Sequence, residues 1–139
     1  INIFQQLTKI IMQDIRKVTV KVPQAYLDFI NQIFEIEKKA NNLKEENSIQ
    51  RNINKMKGIM EEEFFKGSST IGLTYHNPLG EDYTETRTDC EATISGTGVE
   101  NLEIVEVIKP IIYYSYLDSD KVIKVIVQPA VVIVQSKNS

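Results

Sequence analysis

The chain has no tryptophan, one cysteine and one histidine among its 139 residues, and each scarcity removes a class of chemistry. Cys90 cannot form an internal disulfide and has no second thiol with which to build a cysteine zinc site. His76 has no cysteine or second histidine at ligand spacing, so no metal is expected. As nucleophile and base, Cys90 and His76 would need a sharp glycine-flanked turn and oxyanion donors; neither surrounds Cys90, and a half-buried strand cysteine is the expectation. Long apolar runs are missing as well: no stretch approaches the roughly 18 to 20 residues that cross a bilayer, so no membrane role is expected. Cationic excess is absent, because sixteen Lys and Arg stand against nineteen Asp and Glu for a net charge of -3, and nucleic acid is not an expected partner. The short run Gly96-Thr97-Gly98 leads into a strand rather than a helix N-terminus, so no nucleotide cofactor is expected. These absences describe a soluble, non-catalytic chain in a reducing, cytoplasmic setting.

What is present divides at Lys66 to Thr70, where KGSST separates a Lys, Glu, Asn and Gln-rich half from one rich in Val, Ile, Thr and Tyr. In the first half Tyr26, Phe29, Ile33, Ile36, Ala40 and Leu43 alternate three and four apart, the a/d seam of a coiled coil over about three heptads. Ile30 and Phe34 widen the stripe, which suits a helix with more than one neighbour. Pro23 fits the start of that helix, where its missing N–H has no intrahelical acceptor. A second helical pattern runs through Ile49, Ile53, Met56, Met60 and Phe64, with Asn47 or Ser48 to cap it. An earlier one, through Phe4, Leu7, Ile11 and Ile15, breaks at the β-branched run before Pro23. The stripes read equally as an intrachain three-helix core and as a dimer seam.

The second half reads as antiparallel β, with strands expected over Thr88 to Ile94, Leu102 to Ile108, Ile111 to Tyr116 and Val122 to Val134. Asn77 to Gly80, Ser95 to Gly98 and Leu117 to Asp120 are the turns. Pro110 and Pro129 each remove a ladder donor and belong at an edge, a strand end or a bulge. Glu61-Glu62-Glu63 reads as a solvated helix face. Glu81, Asp82, Glu85, Asp89 and Glu91 lack the spacing of a calcium loop and read as a charged surface for a protein partner. The fold class is therefore α+β: long amphipathic helices, then a small antiparallel β domain of short strands. The segments are a helical dimerisation region (1–66), a β domain (72–135) and a tail (136–139).

Within the β half, Gly72 to Tyr83 (GLTYHNPLGEDY) resembles the G-x-x-x-x-x-P-x-G-E-x-[FY] segment by which GrpE family nucleotide exchange factors pass from helix to β domain. Glu91-Ala92 resembles that family's H-E-A element, and Gln128 to Val134 (QPAVVIV) its terminal R-P-A-x-V-x-V strand. Cys90, Pro110-Ile111 and Gln128 stand where the family has His, Gly-aromatic and Arg. The resemblance implies a homodimer whose β lobe contacts the ATPase domain of a DnaK-type chaperone and holds its cleft open for ADP release, with no cofactor. It carries a partner contact onto Gln128. Lys109, Pro110 and Pro129, which end or interrupt strands beside it, complete an expected exposed edge. The alternative is a non-catalytic dimeric adaptor of the same architecture without exchange activity, favoured by the loss of the terminal Arg, a common interface anchor.

Overall fold

A computed structural model describes residues 22–43, 48–63 and 70–138. The helix expected through Phe4 and Ile15, the Asn47 cap, Phe64 and the linker positions 66–69 lie outside the described residues. Helix α1 spans Gln24–Asn41 and starts at Pro23, whose φ of -52° is already set for a turn and whose carbonyl accepts the Tyr26 N–H at 3.0 Å. Lys38 and Lys39 place positive charge on its last turn, against the unpaired carbonyls of that end. Helix α2, Ile49–Gly58, starts at Ser48, although the serine side chain makes no capping bond. It runs on into a π-helical turn, Ile59–Glu63. The expected long helices are thus corrected: 18 and 10 residues span only about 27 and 15 Å at 1.5 Å per residue. Among the described residues no helix is long and apolar enough to cross a membrane.

Among the described residues seven strands follow: β1 Thr70–His76, β2 Asp82–Tyr83, β3 Cys90–Ser95, β4 Leu102–Lys109, β5 Ile111–Asp118, β6 Lys121–Gln128 and β7 Ala130–Ser136. They form a three-stranded sheet, β1-β5-β6, and a four-stranded sheet, β2-β4-β7-β3. The chain is α+β, with one sheet curled into a half-barrel. Between β1 and β2, Asn77 to Gly80 turns as its residues require, with the Asn77 side chain accepting the Leu79 N–H at 3.1 Å and Gly80 at φ 83°.

Much of the β structure is one bent hairpin. β5 pairs with β6 around Ser119 and Asp120, both at positive φ as a two-residue type I′ turn demands, and β4 pairs with β7 further along the same two arms. Pro110 separates β4 from β5, and Pro129 separates β6 from β7. Neither proline has an N–H to continue a ladder, and there each arm leaves one sheet for the other. The single strand expected over 122–134 is therefore two strands in two sheets. An all-antiparallel lobe is corrected as well, because β3 lies parallel to β7, with Cys90 opposite Ala130 and Ser95 opposite Gln135. The hairpin carries β7 back beside a strand that precedes it, so the pairing direction is set by the bend and not by a local turn.

The helices are built into the β core. Phe34 packs with Ile104, Val107, Ile111 and Val132, and its ring meets Tyr75 edge-on at 5.9 Å. Ile30 and Ile33 pack with Ile53, Met60, Leu73 and Ile112. Inward-facing residues of α1 thus serve two clusters, which accounts for the width of its apolar stripe. Helix gives way to strand between Glu63 and Thr70, near the compositional break, yet the two halves share these cores.

Candidate functional site

The heptad stripe of α1 is split by the fold. Ile33 and Ala40 are buried inside the chain, and Tyr26 is half-buried. Phe29, Ile36 and Leu43 are 53%, 41% and 53% exposed. Those three lie seven residues apart in sequence: Phe29 and Ile36 stand two turns apart on α1, about 10 Å at 1.5 Å per residue, and Leu43 follows just past the helix end. The inner positions of the expected seam are filled by the β-sheets and α2, while the outer positions remain as an apolar ridge.

The expected partner edge meets a different fate. Lys109, Pro110, Gln128 and Pro129 do come together, at the corner of the bent hairpin. Lys109 is exposed there and Pro129 partly so. Pro110 is fully buried, and Gln128 is only 9% exposed. The Gln128 and Asn31 amides exchange reciprocal bonds of 2.9 and 3.0 Å, and the Gln128 Nε2 also donates to the Pro110 carbonyl at 3.1 Å. The exposed edge expected at Gln128 is corrected: its amide ties α1 to the corner, because the carbonyl there and the Asn31 amide need partners away from water.

Of the acidic cluster in the second half, Glu81, Asp82 and Asp89 are paired with cationic or histidine side chains, and Glu85 and Glu91 are exposed. Arg87 bonds both oxygens of Asp89, at 2.8 and 3.0 Å, and reaches Glu81 at 3.1 Å. The bonds from Arg87 outweigh partial burial and hold the Asp89 carboxyl below its ordinary range. Asp82 pairs with Lys137, and His76 bonds Glu81. Cys90 is buried; burial pushes its thiol up to about 11, Arg87 opposes this, and Asp89 and Glu81 add to it. Such a thiol is protonated at neutral pH and is a poor nucleophile. No three His, Cys, Asp or Glu residues among the described residues are placed to hold a metal ion.

A polar cluster joins both helices to β1. Glu37 accepts from Lys57 at 2.7 Å, from Gln50 at 3.1 Å and from the Tyr75 hydroxyl at 3.1 Å, while the Lys57 amine sits 4.6 Å from the Tyr75 ring centre. Burial acts to raise the Glu37 carboxyl, but the bonds from Lys57 and Gln50, the Lys57 charge and the Tyr75 bond prevail and bring it below the usual range. Burial, then the charge and bond of Glu37, push the Tyr75 hydroxyl up. Four separate sequence positions, Glu37, Gln50, Lys57 and Tyr75, meet here, and no local motif announces them. A carboxyl lowered in the folded state stabilises the fold at neutral pH, and that contribution is lost as pH falls through the folded-state value. Between neutral pH and pH ~3, the melting temperature of the parent should therefore fall further than that of Glu37→Gln, as followed by circular dichroism. Equal falls would remove Glu37 as an acid-sensitive contact.

Searches of family models, curated proteins and solved structures find no match to this chain. The functional reading accordingly stands on the residues and geometry described above.

Proposed function

We propose that the chain is a non-catalytic, protein-binding module that pairs with a second copy of itself through the outer face of α1, the adaptor reading of the sequence. The ridge of Phe29, Ile36 and Leu43 carries this proposal. Its sequence spacing is symmetric about Ile36, so a two-fold axis through that residue brings Ile36 to Ile36 and the Phe29 end of one copy towards the Leu43 end of the other. Such self-complementarity is what an isologous dimer requires. Burial of the three side chains gives the apolar gain, and the polar residues flanking the ridge, Asp28, Gln32 and Lys39, form a wet rim.

Ile36→Asp tests the proposal without touching the intrachain core. Sedimentation equilibrium should show a dimer for the parent and a monomer for the variant, with dimer affinity falling by roughly a hundredfold because a carboxylate would be desolvated opposite its own copy. Helical signal and melting of the dilute monomer should stay close to those of the parent. A monomeric parent would sink the proposal.

The exchange-factor reading retains one outward charge at the expected corner, Lys109. Release of labelled ADP from a DnaK-type chaperone separates the two: acceleration by the purified chain supports exchange, and binding without acceleration supports the adaptor.

A further inference from the structure

A cavity of about 190 Å³ lies between the inner face of α1, the π turn and β1. Ile30, Ile33, Met60 and Leu73 line it with side chains that are themselves almost fully buried, and Lys57 and Tyr75 bring it its polar wall. Two larger hollows, of about 360 and 260 Å³, are walled largely by exposed residues such as Val99, Asn101, Asn77 and Leu79, and offer no comparable apolar floor. Native interiors close up voids larger than a water molecule, and an apolar space of about 150 Å³ suffices to take up benzene. A space of this size, dry on one side and charged on the other, has the layout of a small-molecule site.

The polar wall narrows the ligand class. The Tyr75 hydroxyl is committed to Glu37, so it has no proton to offer a guest. The Lys57 ammonium gives one of its three protons to Glu37 and lies over the Tyr75 ring, and among the described residues no further oxygen or nitrogen accepts from it. Glu61, also at the wall, disfavours a guest with more than one negative charge. The π turn that contributes Met60 and Glu61 is a rare conformation that recurs frequently at functional sites.

From this arrangement we infer that the cavity binds a small apolar molecule, one ring or a short chain in size, bearing a single carboxylate or carbonyl that accepts a hydrogen bond from Lys57. The site is lined from α1 by the buried Ile30 and Ile33, not by the exposed Phe29 and Ile36 of the pairing ridge, and does not depend on dimer formation.

Phenylacetate and toluene serve as probes, titrated into the intact chain carrying labelled Ile, Leu and Met methyl groups and followed by NMR. Both should saturate one site and shift the methyls of Ile30, Ile33, Met60 and Leu73, with phenylacetate binding roughly tenfold more tightly through its charge-assisted bond. In Lys57→Met phenylacetate should lose that advantage while toluene binds as before, which shows the cavity intact. If that variant fails to retain toluene, the affinity difference between the probes on the unmodified chain decides. No saturable shift from either probe, or shifts centred on Ile36 and Leu43, would overturn the site. Equal affinities on the unmodified chain would overturn the role of Lys57.

Discussion

Gly72→Ala is expected to cost about 4 kcal/mol or more and to leave little folded protein near body temperature. Gly72 sits in β1 at φ 125°, beside a break in the β1–β5 register, and a methyl group built on it would lie 2.0 Å from the Glu61 carbonyl oxygen and 2.6 Å from its carbon. The obstacle is backbone, so no side-chain rotation relieves it. The added methyl would force the π turn away from β1, opening the packing of Met60 against Leu73 and Ile33, and the backbone conformation is itself strained for any residue with a Cβ. Urea titration monitored by circular dichroism checks this. An alanine variant within about 1 kcal/mol of the parent would show that the π turn does not need this close approach.

Ile33→Asp is expected to unfold the chain, at a cost of about 3 to 5 kcal/mol, whereas Ile36→Asp three residues along the same helix should only dissociate it. Ile33 is 2% exposed and packs against Leu73 and Ile112, so an aspartate there would be buried without a cation or donor, and its smaller side chain would leave a void. The contrast is diagnostic. If Ile33→Asp melted like the parent but ran as a monomer, the inner stripe would be an interface between chains and the intrachain packing of α1 would be refuted.

The contrast also marks how far the sequence is readable. Alternating three and four spacing from Tyr26 to Leu43 places α1 correctly, because helical periodicity is a local property. It carries no sign for which side meets the chain's own sheets, and the seam divides, with Ile33 and Ala40 inward and Phe29, Ile36 and Leu43 outward. The prolines at 110 and 129 announce strand breaks through their missing donors, and the turn at Ser119 and Asp120 is visible in its residues. The parallel β3–β7 pair and the exchange between Asn31 and Gln128 are non-local, and nothing within several residues of either end signals them. Gln128 looked like a surface contact because a polar residue beside a strand-breaking proline is usually exposed. It is buried because Asn31, 97 positions away, completes its bonding. The Glu37, Lys57 and Tyr75 cluster was equally illegible for the same reason.

The bent hairpin also has a bearing on the order in which this chain acquires structure. Its rungs run from Asp118 opposite Lys121, almost adjacent in sequence, out past the two prolines to Leu102 opposite Ser136. Each rung nearer the turn shortens the loop that the next must close, so the ladder can zip from the tip toward the corner with little further entropic penalty. The parallel partner β3 and helix α1 have no such ladder to follow. They gain a surface only once both arms are paired: β3 needs the free edge of β7, and Asn31 needs Gln128 held at the corner. The hairpin is thus the natural nucleus, and the helical half, synthesised first, is the part that must wait.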